Sequence, residues 1–219
     1  PAIFLASYSI FKMIEKESNI NLENAKYFAG HSLGEYSALA TSYSLDFKSA
    51  IKLLNERGKA MQTAVPKNTG GMIAVLGAEI SEINNLLEQN QNNFKCYVAN
   101  DNSIGQVVLS GLNPDIDKFI DTLKEKKIKN IKLPVSAPFH CKLMNKATHI
   151  MTDKINNTNF TRPNNVIISN VTGAETQEIE EIKDLLIKQI ESPVRWRESV
   201  IYMIKNGVTN FIEIGPGKV

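Results

Sequence analysis

Tyr27-Phe28-Ala29-Gly30-His31-Ser32-Leu33-Gly34-Glu35-Tyr36-Ser37-Ala38-Leu39 decides how this chain is read. Tyr27 to Ala29 is a short apolar run of the kind that forms a buried strand, and it stops at Gly30. After Ser32 the apolar residues Leu33, Tyr36, Ala38, Leu39 and Ala40 take helical spacing. Residues 26–41 therefore read strand, sharp turn, helix. Gly30-His31-Ser32-Leu33-Gly34 fits Gly-x-Ser-x-Gly, which carries chemistry when it sits in that context. Its two glycines are expected to let the backbone turn without Cβ clashes. Ser32 is then presented at the turn, and the Leu33 N–H points at a developing oxyanion. The plain alternative is a small-residue turn that only joins strand to helix.

A serine nucleophile needs a base, and the chain has three histidines. His31 adjoins Ser32, and its side chain is expected to diverge from it. His149 lies mid-helix among Lys and Thr and reads as a surface residue. His140 closes the loop Leu133-Pro134-Val135-Ser136-Ala137-Pro138-Phe139-His140, at the start of a helix. Either it is the base, in a cleft, or it caps or packs that helix. Cys141 next to it reads as a small packed hydrophobe.

Arg57 falls on the apolar stripe of a helix capped by Asp46, with Phe47, Ala50, Ile51, Leu54, Met61 and Ala64. A guanidinium there needs an anion or a cleft, because an unpaired buried charge is costly. Two readings fit: a structural ion pair with a carboxylate such as Glu35, or a fork for a substrate carboxylate. Gly58 beside it is expected to permit close approach.

Outward from the elbow, a helix precedes it (residues 2–14). Beyond Pro66–Gly71 the pattern changes to strand 72–76, helix 81–89, strands 95–99 and 106–110 around the turn 100–105, helix 114–126 and strand 129–133. That order is βαββαβ, the ferredoxin-like unit. The larger pattern then resumes with a helix from 141 to 156, strand 166–170, helices 178–191 and 196–206, and a last strand 211–214 entering Gly215-Pro216-Gly217. The fold class is α/β: a larger subdomain with a parallel sheet (1–69 and 135–219) and an inserted small subdomain (70–134).

Bulk numbers narrow the function. Lys and Arg total 25 against 23 Asp and Glu, with no basic block, which argues against nucleic acid. Two separated cysteines give neither a disulfide framework nor a zinc pattern. No apolar run is long enough to span a membrane.

Taken together, these segments resemble the malonyl-CoA:acyl carrier protein transacylase family. Residues 30–39 are similar to its nucleophile segment, Arg57-Gly58-Lys59-Ala60-Met61-Gln62 to its arginine helix, and Asn100 to Gly111 to a hairpin of its small subdomain. Pro134 to His140 resembles its histidine loop. Ser192-Pro193-Val194-Arg195-Trp196 and Glu213 to Val219 resemble its C-terminal signatures. The resemblance runs through nearly the whole chain. It implies an acyltransferase that moves malonyl from malonyl-CoA to the phosphopantetheine thiol of acyl carrier protein, for fatty acid biosynthesis. Ser32 would be acylated, His140 would be base and then acid, and Arg57 would hold the malonyl carboxylate. Leu33 would give an oxyanion N–H, and the Gln189 backbone carbonyl would orient His140. Met61 and Phe139 would lie on the substrate side. Phe139 departs from the small residue common in stand-alone bacterial members and is similar to malonyl-selective polyketide synthase domains.

No metal or cofactor is implied. The implied partners are malonyl-CoA and acyl carrier protein, with no nucleic acid and no membrane. The implied state is a monomer in the cytoplasm, or in an organellar lumen if a targeting segment has been removed. The family also has an opening strand with a Gly-Gln-Gly loop and a last helix that this sequence lacks, so it is expected to be part of a longer protein. A plain esterase with the same elbow would instead need an acid between Ser32 and His140 in the chain, with Asp101 and Asp115 as candidates. A carrier-protein-binding fragment without turnover would need no base at all.

Overall fold

In a computed structural model, residues 1–135 and 137–217 are described. Ser136, Lys218 and Val219, quoted above in the histidine loop and the C-terminal signature, lie outside the described residues.

The chain opens with α1 (Ala2–Glu17), then β1 (Tyr27–Ala29), α2 (Leu33–Thr41) and α3 (Phe47–Thr63). The insert follows as β2 (Gly70–Leu76), α4 (Ile80–Gln89), β3 (Cys96–Ser103), β4 (Gln106–Leu112), α5 (Asn113–Glu125) and β5 (Lys129–Lys132). The body resumes with α6 (Asn145–Asn156), β6 (Val166–Ile168), β7 (Glu175–Thr176), α7 (Ile179–Gln189) and α8 (Trp196–Lys205). No helix among the described residues is long and apolar enough to cross a membrane.

The body sheet has the order β1-β6-β7. β1 and β6 run parallel, with Phe28 opposite Ile167. Parallel pairing sends both strands' C-terminal ends to one edge, so Gly30–Ser32 and Ser169–Asn170 emerge side by side. The helices bury Phe4, Tyr36, Leu39, Leu53, Leu54, Met61, Met151, Ile167 and Leu186 in one core around it. In α3 the buried stripe is Ala50, Leu53, Leu54, Arg57, Ala60 and Met61. Phe47 departs from the expected stripe. It sits at the helix start, half-exposed, stacked against Tyr8 and Phe4 at 4.8 and 5.6 Å between ring centroids.

The second sheet is antiparallel with the order β3-β4-β2-β5, the ferredoxin-like arrangement for βαββαβ. Alternation along β2 explains why both faces are covered. Ile73 and Val75 pack under α4 and α5 with Ile83, Phe119 and Leu123. Met72 and Ala74 face the other way, with Ala99, Val108 and Phe139. Gly70 is required where the linkers pass each other, because a Cβ there would lie 2.6 Å from Pro138 Cδ.

Two expectations change, and one strand is added. β3 runs on to Ser103 instead of ending at Ala99, with register shifts between Val98 and Asn100 and between Asp101 and Ser103. The hairpin itself extends it, with Asn100, Asp101 and Ser103 opposite Val108, Val107 and Gln106, and Val194 adds one parallel bridge: Asp101 N donates to Val194 O (2.9 Å) and Val194 N to Ala99 O (2.8 Å). β7 is an added antiparallel strand on β6, too short to register as a pattern. Residues 211–214 form no strand. They have no ladder partner among the described residues, and Phe211 and Ile212 are exposed.

β3 is also bolted to α8 by charge. Arg197 Nε donates to both Asp101 oxygens (3.1 and 2.9 Å) and Nη2 to Oδ2 (2.8 Å), while Asp101 is buried. Asp101→Ala leaves the cation without its partner. We expect it to cost about 2–3 kcal/mol in urea unfolding, less than a fully buried pair because Arg197 is a quarter exposed. The pair Asp101→Leu with Arg197→Met is expected to regain most of that loss.

Candidate active site

Ser32 stands between β1 and α2 with φ 53° and ψ −101°, a conformation rare for a residue with a Cβ. Gly30 makes the turn possible, since a Cβ there would sit 2.0 Å from the Gly34 carbonyl. The second glycine has a different effect from the one expected. A Cβ on Gly34 would meet nothing within 4 Å, so its absence leaves open space. The same holds for Gly58, which no neighbour approaches.

Asn170, just after β6, clamps the elbow. Its Oδ1 accepts from Ser32 N (2.6 Å) and its Nδ2 donates to Gly30 O (2.8 Å). Leu33 N lies at the first position of α2, where an N–H has no intrahelical acceptor.

His140 comes to the elbow from the loop leaving the insert, itself at φ 57°. Its Nε2 lies 2.7 Å from Ser32 Oγ, and its Nδ1 lies 2.9 Å from Gln189 O at the end of α7. A carbonyl only accepts, so Nδ1 carries the proton and Nε2 is left to accept from the serine hydroxyl. Burial, then the charge of Arg57, push the imidazole pKa down to about 3. The ring is therefore neutral at physiological pH, with its Nε2 lone pair toward the Ser32 hydroxyl.

Arg57 is buried as the stripe required. Its Nη2 donates to Ser32 Oγ (3.0 Å) and to Gln189 Oε1 (2.8 Å). Its Nε is buried without a hydrogen-bond partner among the described residues. Glu35 is buried too, and Gln189 stands between it and Arg57: Gln189 Nε2 donates to Glu35 Oε2 (2.7 Å) and to Ser32 O (3.0 Å). Gln189 therefore enters by its side chain as well as by its backbone carbonyl.

The remaining residues fall at varied distances from this centre. Phe139 is half-buried between the body core and the insert sheet, its carbonyl accepting from Ser110 Oγ. Met61 lies one turn beyond Arg57, within the body core. His31 turns away from Ser32, with Nε2 2.9 Å from Asn102 Oδ1 and the ring edge-on to Trp196. His149 is exposed. Asp101 is taken by Arg197 and Asp115 stands at the start of α5, so neither serves as the acid that an esterase order would need. Asn170 and the pair of Asn102 with His31 were not singled out from the sequence. The one available signal was that Asn170 follows a β-branched run, at the strand edge where α/β sites assemble.

Residues 22–218 match the acyl transferase domain family. The malonyl CoA-acyl carrier protein transacylase of Haemophilus influenzae is 40% identical over 220 residues, covering all of this chain and 70% of that protein.

The chain belongs to the malonyl CoA-acyl carrier protein transacylase family.

Among solved structures, the transacylase-family acyl-carrier-protein S-malonyltransferase of Bartonella henselae superposes with a TM-score of 0.94 at 36% identity, covering 99% of this chain and 69% of that one. A malonyl-transacylase in complex with its type II polyketide acyl-carrier protein gives 0.94 at 35% identity, covering 99% and 70%.

Two buried groups of this family member titrate in opposite senses. Burial lifts the Glu35 carboxyl to about 7 from an ordinary 4.5, against the pull of Gln189, Asn170 and Arg57. Between pH 4.5 and 7 the folded chain holds a proton there that the unfolded chain has lost, so stability falls as pH rises. His140 works the other way. Between pH 3 and 6.5 only the unfolded chain is protonated at this histidine, so stability rises with pH. Glu35→Gln removes the first effect. Its urea-unfolding stability relative to the parent chain is expected to climb from pH 4.5 to 7, by roughly 3 kcal/mol.

Proposed function

We propose that this chain transfers a malonyl group from malonyl-CoA to the phosphopantetheine thiol of acyl carrier protein, through a malonyl ester of Ser32, in support of fatty acid biosynthesis. The observation that carries this reading is the meeting, at one hydroxyl, of a base and a guanidinium. Ser32 Oγ lies 2.7 Å from His140 Nε2 and 3.0 Å from Arg57 Nη2. A base activates the oxygen, and a fixed cation beside it suits an acyl group that ends in a carboxylate. The names of the relatives point the same way.

In the proposed cycle His140 takes the Ser32 proton as Oγ attacks the thioester carbonyl. The oxyanion is met by the Leu33 N–H. The tetrahedral adduct collapses and breaks the C–S bond. His140 returns the proton to the coenzyme A thiolate, and malonyl-Ser32 remains. The carrier thiol then attacks the ester with His140 again as base, and Ser32 recovers its proton. Gln189 O holds the imidazole in the working tautomer throughout. Arg57 grips the carboxylate, and Met61 and Phe139 bound the acyl side. The cycle closes on these groups without a bound cofactor or metal.

The proposal divides the chain into a body (1–69 and 135–219) and a small subdomain (70–134), supported by two sheets that share no strand. On the family resemblance it places a monomer in the cytoplasm.

The test is intact-protein mass spectrometry after brief mixing with malonyl-CoA. One malonyl adduct that clears on adding holo acyl carrier protein is expected. An adduct that passes to water at the same rate with or without the carrier makes the chain a hydrolase.

A further inference from the structure

Glu35 is a buried carboxyl group with no cation in contact among the described residues, and nothing in the proposed cycle uses it. Its Oε2 accepts from Gln189 Nε2 (2.7 Å) and from Asn170 N (3.2 Å). These two partners hold the rest of the centre. Asn170 ties Ser32 N and Gly30 O. Gln189 ties Ser32 O, Arg57 and, by its carbonyl, His140.

The chemistry of the Gln189 amide makes Glu35 decisive. A primary amide has one accepting end and one donating end. Glu35 Oε2 accepts from the NH2 end, the one sense open to this carboxyl in its ionised form, which prevails above pH 7. The carbonyl end is then turned toward Arg57, which only donates. With the amide reversed, Oε1 would face the carboxylate and Nε2 would face the guanidinium, and both contacts would repel. Arg57 Nη2 is thereby held between Gln189 Oε1 and Ser32 Oγ.

We propose that Glu35 is a positioning residue: by fixing the Gln189 amide it aims Arg57 at the acyl carboxylate, and by Gln189 and Asn170 it keeps Ser32 in register with His140. This rests on the malonyl-transfer reading for its specificity half alone.

The test compares Glu35→Ala, Glu35→Gln and Gln189→Met in the full chain. Malonyl-CoA and acetyl-CoA transfer, labelling of Ser32 by a fluorophosphonate, and melting temperature are measured. Glu35→Ala is expected to lower malonyl kcat/KM about a hundredfold and acetyl transfer less, so that the malonyl-to-acetyl ratio falls roughly tenfold. Labelling is expected to slow. Glu35→Gln keeps an accepting oxygen and is expected to stay within about fivefold of the parent. Gln189→Met keeps the backbone carbonyl on His140 and cuts the link to Arg57, so it should reproduce the fall in the ratio even if Glu35→Ala does not fold. Combining Glu35→Ala with Gln189→Met is expected to reduce the ratio no further than either alone.

An unchanged ratio in Gln189→Met, or losses that simply multiply in the double variant, would overturn the proposal. If the parent chain itself takes no malonyl group, the malonyl-transfer reading fails, and the labelling rates alone decide the Ser32 half.

Discussion

Ser32→Ala is expected to lower malonyl transfer by about 10⁴-fold or more and to abolish the covalent adduct seen by mass. The size follows from how the centre is wired. His140 has its Nδ1 committed to Gln189 O and its Nε2 aimed at Ser32 Oγ, so among the described residues Ser32 is the nucleophile that this base serves. Cys141 does not substitute. It is buried, its Sγ is bonded to Pro138 O, and burial pushes its thiol up to about 11. Fold should survive the change, because the unusual φ at Ser32 is borne by the Gly30 close approach and the Asn170 clamp, neither of which uses the hydroxyl. Retained adduct in Ser32→Ala would mean that another residue is acylated.

Arg57→Ala is expected to cut malonyl kcat/KM about ten- to a hundredfold, the worth of a charged hydrogen bond, while acetyl transfer is kept or rises. The asymmetry is the point of the prediction. In the free site Arg57 donates to Ser32 Oγ and Gln189 Oε1, and its charge lowers the basicity of His140. An acetyl group gives nothing back for that charge, whereas a carboxylate does. Removing the cation therefore costs one substrate its anchor and costs the other nothing. Some stability is also expected to be lost, because the change opens a cavity and leaves Gln189 Oε1 without its donor. The check is side-by-side kinetics with both thioesters, and equal losses would remove Arg57 from selectivity.

The elbow could be read in the sequence because strand, turn and helix are neighbours in the chain and each follows its own period. Arg57 was visible as a conflict, a cation on an apolar stripe, and the insert was visible as an order of elements. Beyond that, local signals stop. The parallel bridge from Asn100 of β3 to Val194, about 90 residues away, is encoded by no local propensity. The run 211–214 has strand composition, but a strand exists only with a ladder partner. The pairing left open between Arg57 and Glu35 was settled by a third residue, since the amide of Gln189 lies between the two charges. Asn170 is likewise an ordinary residue after a strand until parallel pairing of β1 with β6 sets it beside Ser32.

The sequence by itself determined that this chain makes a strand–turn–helix presenting a serine, a helix with a buried arginine, and a βαββαβ insert. These are consequences of side-chain periodicity and of where glycine and proline interrupt it. Only the tertiary structure decided which atoms meet. The approach of His140 to Ser32, the burial of Glu35 and the orientation of the Gln189 amide arise between segments 108 to 157 residues apart. Hydrogen bonds between such segments are selected by packing and by the need to satisfy most buried donors and acceptors together.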